Sequence, residues 1–165
     1  MKPRQPLTLE NALSRAAALC ARCEQCTPDL IKKLTAWGLT QTDVKKVIAE
    51  LERLRFVDDS RFAKAYAHDK LHFSGWGRRK ITQGLWAKRL QRDIIDEACD
   101  DFEEEEYHDI ALKVIANKAG SLKEEPHSYE WRAKLFRFGV MRGFESSLVS
   151  EIIKHEIRKD DADEE

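Results

Sequence analysis

Apolar residues in this chain recur at a spacing that suits stacked helical units. A shift of 51 residues places Leu30 on Ile81, Leu34 on Leu85, Leu39 on Leu90, Val44 on Ile95 and Leu51 on Phe102. A further shift of 54 places Ile81 on Leu135, Leu90 on Phe144, Ile95 on Val149 and Cys99 on Ile153. Apolar character survives both shifts while almost nothing else does, as expected when a repeat is kept for its core alone. The turns Trp37-Gly38-Leu39, Lys88-Arg89-Leu90 and Arg142-Gly143-Phe144 fall in register. The pattern predicts an all-α fold, an elongated, curved array of three tandem degenerate three-helix repeats whose units touch mainly their neighbours. Such an array offers a long surface rather than a pocket.

Helix start and stop signals divide the chain. Residues 1–9, with Pro3 and Pro6, read as a flexible lead-in. Repeat 1 spans 10–57. Its first helix carries Leu13, Ala16, Ala17, Leu19 and Cys20 on one face. Its second opens with Thr27 as N-cap and Pro28 at the first helical position, carries Leu30, Ile31, Leu34 and Trp37, and stops at Gly38. Its third opens with the capping pair Thr40 and Asp43 and buries Val44, Val47, Ile48, Leu51 and Leu54. Repeat 2 spans 58–105, with caps at Asp58-Asp59-Ser60, a break at Ser74-Gly75-Trp76-Gly77, and Gly84 inside a helix at a cost of about 1 kcal/mol relative to Ala. The stretch from Asp96 to Glu106 holds eight acids and no Lys or Arg, and reads as a solvated helix end and connector. Repeat 3 spans 106–158, and the acidic tail 159–165 is expected to be disordered.

Hydrophobic residues make up 42% of the 165 and charged residues 36%, the balance of a helical protein with thin, solvated layers. No apolar run approaches the roughly 18 residues of a membrane span. The N-terminus has no hydrophobic signal region, which predicts a cytoplasmic protein whose four cysteines stay reduced.

Catalytic chemistry finds little support. Cys20-x-x-Cys23-x-x-Cys26 has a spacing that thiolate-bound zinc or iron–sulfur clusters use, but no fourth ligand stands near it in the sequence. These cysteines read as small buried or half-buried apolar residues. His68 and His72 are four apart, with no third ligand close by. Gly75-Trp76-Gly77 lacks the further glycine and the preceding strand of a phosphate loop. Helix capping and solubility account for the acidic clusters. The chain reads as a non-enzyme with no catalytic residue, no metal and no cofactor.

The charge pattern is more telling. Between Ser60 and Ile95 there are nine lysines and arginines against two acids, inside a chain of net charge −1. A local excess of seven positive charges points to an anionic partner. Arg78, Arg79 and Lys80 occupy the first turn of a helix, where the dipole disfavours cations, so their placement asks for a reason outside that helix. Lys88, Arg89 and Arg92 lie at its other end. Together the six could track phosphates, with Phe73 or Trp76 for stacking, or dock on an acidic protein groove. Equally, their stems could merely cover apolar surface. Trp76 and Trp86 read as packing residues.

Asp58-Asp59-Ser60-Arg61-Phe62-Ala63, followed by Gly77-Arg78-Arg79-Lys80-Ile81 with Leu85 and Lys88, resembles the RecX family of recombinase regulators. Leu30, Leu34 and Gly38 with Val44 and Leu51 fit the repeat before it, and Arg142-Gly143-Phe144 with Val149 the repeat after it. The resemblance covers about Leu13 to Ile157. Where the family pattern has Gly after the Lys of the middle repeat this chain has Arg89, so the turn is expected to lie outside the left-handed region.

The resemblance implies a monomeric, non-enzymatic modulator of RecA. It would bind RecA filaments on single-stranded DNA and inhibit ATPase and strand exchange in recombination, DNA repair and the SOS response. Contact with the DNA itself would be weak or indirect. Arg78, Arg79, Lys80, Lys88, Arg89 and Arg92 would then contact filament or DNA, while Asp59, Phe62, Gly77, Ile81 and Leu85 would hold the middle repeat together. On this reading, reversal of Arg78, Arg79 and Lys80 to Glu abolishes inhibition without unfolding. The alternative is a direct DNA-binding protein with helix-turn-helix-like units acting independently of RecA. Against it stand the pI near 6.5 and the acidic tail.

Overall fold

The computed structural model describes residues 7–163, with residues 156–163 described by backbone alone. Among them there are nine α-helices and no strand: α1 Leu9–Arg22, α2 Thr27–Ala36, α3 Gln41–Arg53, α4 Asp59–His72, α5 Arg78–Ala87, α6 Arg92–Asp100, α7 Glu104–Ala119, α8 Tyr129–Met141 and α9 Ser146–Asp163. None of them is long and apolar enough to cross a membrane. Most of the expected lead-in, residues 1–6, lies outside the described residues, as do 164 and 165 of the tail. Backbone expected to be disordered from 159 continues α9 to Asp163, because no Gly or Pro after Glu145 stops the helix.

Two compact units divide the chain. The first is Met1–Ala65 with Leu85–Asp96, and the second Tyr66–Gly84 with Glu97–Glu165. Helices α4, α5 and α6 each contribute residues to both. In the first unit α1, α2 and α3 pack on one another. Ala12 and Ala16 of α1 are fully buried against a core that includes Leu30, Leu34, Val44, Val47 and Leu51. Small residues at Ala12 and Ala16 let the helices approach closely, and each buried Leu or Val contributes roughly 1.5–3 kcal/mol. In the second unit α7, α8 and α9 pack mutually, around Tyr107, Ala111, Ile115, Leu135, Phe144 and Val149.

The repeat detected in the apolar residues is a repeat of burial. Leu30, Ile81 and Leu135 are all fully buried, and Leu39, Leu90 and Phe144, like Val44, Ile95 and Val149, are all buried. Phe102, matched to Leu51, is instead only half-buried. Each repeat turns from its second to its third helix through one left-handed residue: Gly38 at φ 90°, Arg89 at φ 61° and Gly143 at φ 94°. The same hydrogen bond closes all three turns, from Gly38 N–H to Thr35, Arg89 N–H to Trp86 and Gly143 N–H to Val140.

Arg89 therefore adopts the left-handed conformation, contrary to the expectation from its missing glycine. Repeat geometry requires the turn, and the residue bears the cost of about 1–2 kcal/mol for an L side chain there. Arg89→Gly is expected to stabilise the protein by about 0.5–1 kcal/mol, read as a higher urea midpoint at unchanged slope.

Local signals resolve in three further places. Thr40 accepts from Asp43 N–H at 3.2 Å and donates to its carboxylate at 2.9 Å, the expected cap of α3. Thr27, by contrast, is not the N-cap of α2. Cys26 takes that position, and the Thr27 amide donates to Asp59 Oδ1 at 2.6 Å. A carboxylate from the start of α4 thus caps α2, a long-range partner that local sequence cannot reveal. The acidic stretch is also more helical than expected. Helix α6 runs to Asp100 and α7 starts at Glu104, so Glu104, Glu105 and Glu106 form a first turn where negative charge is favoured. Leu54, expected in the core, is the exposed C-cap of α3.

Gly84 has a packing reason. A Cβ there would sit 2.2 Å from the Tyr66 hydroxyl, so the helix tolerates glycine in order to admit the tyrosine. Gly84→Ala, stabilising by about 1 kcal/mol in a bare helix, is expected here to destabilise by about 1–2 kcal/mol in urea unfolding.

Candidate interaction surface of the basic segment

The six basic residues fall into two groups with different surroundings. Within the second unit, Arg78 begins α5 and is drawn inward. Its side chain is 21% exposed. The backbone N–H of Arg78 donates to the Tyr107 hydroxyl at 3.0 Å, and its Nε donates to the carbonyl of Cys99 at 3.2 Å. Its guanidinium pairs with Glu104, lies 3.7 Å from Glu145, and stacks 4.1 Å from the Tyr107 ring centroid. Tyr107 in turn donates to Glu145 at 2.8 Å. Burial above all, together with the Glu145 carboxylate, pushes the Tyr107 hydroxyl well above the usual phenol range, so it stays a donor.

Arg78 is thus an internal tie between the start of α5, helices α6 and α7, and Glu145 just ahead of α9. The dipole-opposed cation does have its reason, in Glu104, Glu145 and Tyr107 of its own chain. In a reversal of Arg78, Arg79 and Lys80 it is therefore Arg78 that puts the fold at stake, since a glutamate there would face Glu104 and Glu145. Sequence reasoning passed over Tyr107 altogether. Its signal was the i, i+4, i+8 spacing with the buried Ala111 and Ile115.

Arg79 is exposed, and no side-chain partner for it is found among the described residues. Its backbone N–H, not its charge, is engaged, donating to the Gly143 carbonyl at 3.1 Å. Lys80 is half-buried with its Nζ 4.6 Å from the centroid of the Trp76 ring, which Lys70 also covers at 4.8 Å. Trp76 is therefore occupied by the protein's own cations. Phe73, on the same connection, is 81% exposed.

Within the first unit, Lys88 bonds Asp29 Oδ2 at 2.6 Å. Burial acts to raise the Asp29 carboxyl, yet the Lys88 bond and charge, with help from Cys26 and Lys32, hold it below the usual carboxylate range. Arg89 is exposed on its strained turn. Arg92 is exposed and pairs loosely with Asp96 at 3.4 Å. Trp86, expected to pack, is 54% exposed. So Arg79, Arg89 and Arg92 carry the outward charge, while Arg78 and Lys88 are engaged in the fold.

The residues read as structural lie as follows. Ile81 and Leu85 are fully buried, Phe62 is half-buried, and Asp59 caps α2. Gly77 donates to the Arg142 carbonyl at 2.8 Å and lies against the Gly143 backbone.

No group of three or more His, Cys, Asp or Glu that could hold a metal occurs among the described residues. Cys26 is buried, Cys20 half-buried and Cys23 exposed. Burial is the main cause that pushes the Cys20 and Cys26 thiols up, which disfavours the thiolate a metal or a nucleophile requires.

Residues 58–98 match the family model of the RecX second three-helix domain, and residues 104–153 that of the RecX third three-helix domain. The chain belongs to the RecX family. Among relatives named Regulatory protein RecX, that of Legionella pneumophila (strain Corby) is 29% identical over 146 residues, covering 88% of this chain and 95% of the relative. That of Clostridium botulinum (strain Eklund 17B / Type B) is 29% identical over 126 residues, covering 76% of this chain. This match covers 58% of the clostridial protein, and matches to other clostridial relatives are similarly partial. The crystal structure of RecX from Lactobacillus salivarius superposes with a TM-score of 0.80 at 16% identity, covering 89% of this chain and 95% of that one. A second crystal structure, of regulatory protein RecX, gives 0.79 at 24% identity, covering 89% and 73%. The likeness to the two crystal structures concerns the fold.

Proposed function

We propose that this protein is a non-enzymatic regulator of the RecA recombinase, binding RecA filaments on single-stranded DNA and suppressing their ATPase and strand exchange. The observation that carries this reading is the match of the basic middle segment to a RecX three-helix domain. A regulator of this kind needs surface rather than an active site, and outward charge at Arg79, Arg89 and Arg92 suits contact with an anionic nucleoprotein. Arg78 and Lys88, engaged within the fold, act on that surface by positioning it. Placement in the cytoplasm and action as a monomer belong to the same proposal.

The test is the single-stranded-DNA-dependent ATPase of the cognate RecA, titrated with this protein. Loss of ATPase at substoichiometric ratios is the expected result. No effect in excess, together with salt-sensitive binding to free DNA, would overturn the reading in favour of a direct DNA binder.

A further inference from the structure

The connection between α4 and α5 displays Phe73 on a backbone that is held firmly. Arg142 clamps this connection twice, its guanidinium donating to the Ser74 carbonyl at 3.1 Å and its own carbonyl accepting from Gly77 N–H at 2.8 Å. Gly75, at φ 61°, presses so close to Val114 that a Cβ would lie 2.9 Å from that side chain. The Phe73 ring meets the edge of the His68 ring at 6.5 Å between centroids and is otherwise left 81% exposed on a clamped loop, a large apolar surface that its own fold does not cover.

Beside it lies a cleft of about 390 Å3. Its floor is aliphatic, from Leu71, Ile110 and Val114, and its rim carries Lys113, Arg142 and Phe73, with no carboxylate. Past Ile110 and Lys113, which also border a neighbouring hollow, the sign reverses to Glu103, Glu105, Glu106 and Asp109. A nucleic-acid strand is a poor occupant, because its phosphates would pass those four acids. Branched aliphatic walls also suit an inserted side chain better than the flat face of a base.

The geometry points to a docking site for an extended protein segment with one large apolar residue, an acid beside it facing Lys113, and a base that takes the place of His72, a lining residue 3.7 Å from Glu106, as the partner of that half-exposed carboxylate. Glu106 and Lys113 stand two turns apart on α7, about 10 Å along its axis. An extended chain covers that distance in about three residues, which sets the spacing of acid and base around the anchor. Opposite charges at the two ends fix the direction in which the segment lies, while the apolar residue and Phe73 supply the affinity. The inference rests on the function proposed above only in assigning the segment to the recombinase.

Selection of a random displayed peptide library on the wild-type protein tests the site without RecA. The enriched peptides are expected to share an apolar residue between an acid and a base about three positions apart. Phe73→Ala is expected to weaken their binding about tenfold or more by fluorescence anisotropy, about 1.4 kcal/mol per tenfold. Lys113→Glu with Glu106→Lys is expected to restore binding to peptides in which acid and base are exchanged. Peptides without the pattern, or binding indifferent to Phe73→Ala, overturn the site. So does a Phe73→Ala loss of affinity for a short oligothymidylate equal to the loss for the peptides, which would make the cleft a base-stacking surface. Recombinase ATPase is read separately. Inhibition by Phe73→Ala equal to wild type overturns the assignment of the segment to the recombinase. Absence of inhibition by wild type overturns the proposed function and leaves the peptide result standing.

Discussion

Gly77→Ala is expected to destabilise the protein by about 3 kcal/mol or more, lowering Tm by about 6–12 °C. An added Cβ would lie 2.4 Å from the carbonyl carbon and oxygen of Gly143 and 2.4 Å from the amide nitrogen of Phe144. These neighbours are backbone, so no rotamer change relieves the overlap, and the Gly77 N–H to Arg142 bond beside it would be lost with any retreat. Gly143→Ala should be as damaging for two reasons at once. Its φ is 94°, and its Cβ would meet the backbone nitrogen and Cβ of Lys80 at 2.5 Å. The internal control is Gly120→Ala, where the nearest contact is 3.9 Å and φ is −66°. That variant should be neutral or more stable by up to about 1 kcal/mol. Urea unfolding followed by circular dichroism separates them, and a Gly77→Ala protein as stable as Gly120→Ala would refute the close backbone approach.

The basic first turn of α5 should split under charge reversal. Arg78→Glu removes the guanidinium from Glu104, Glu145 and the Cys99 carbonyl and sets a carboxylate among them. The expected loss is about 2–3 kcal/mol, below that of a fully buried pair because Arg78 retains some solvent. Arg79→Glu removes nothing from the described fold and places an acid where the helix dipole favours one, so stability should hold or rise by up to about 0.5 kcal/mol. Recombinase inhibition should fall for Arg79→Glu, especially combined with Arg89→Glu and Arg92→Glu, at unchanged urea midpoint. Equal stability of the Arg78→Glu and Arg79→Glu variants would show that the Tyr107 network does not bear on the fold.

Much of the architecture was legible in the residues, because a core repeat is written in apolar side chains at a fixed period. The pairings Leu30–Ile81–Leu135 and Val44–Ile95–Val149 needed only that period, and each is buried. Turn residues were legible where glycine marks them, at Gly38 and Gly143, and misleading at Arg89, where the repeat imposes a conformation that the residue itself resists. Capping was read correctly at Thr40, where donor and acceptor lie three residues apart. It was misread at Thr27, where the carboxylate comes from Asp59, 32 positions on.

What the sequence by itself determined is the helical repeat, its apolar register and the presence of a strongly basic middle segment, since each depends on residues near one another in the chain. Tertiary structure alone decided which of those charges face outward. Arg78, Arg79 and Lys80 are neighbours with the same sign, and nothing local distinguishes a partner-seeking cation from a structural one. Helix geometry turns successive residues by about 100°, and whatever lies across that turn decides their fate. For Arg78 it is Tyr107, Glu104 and Glu145, for Lys80 the Trp76 ring, and Arg79 is left exposed.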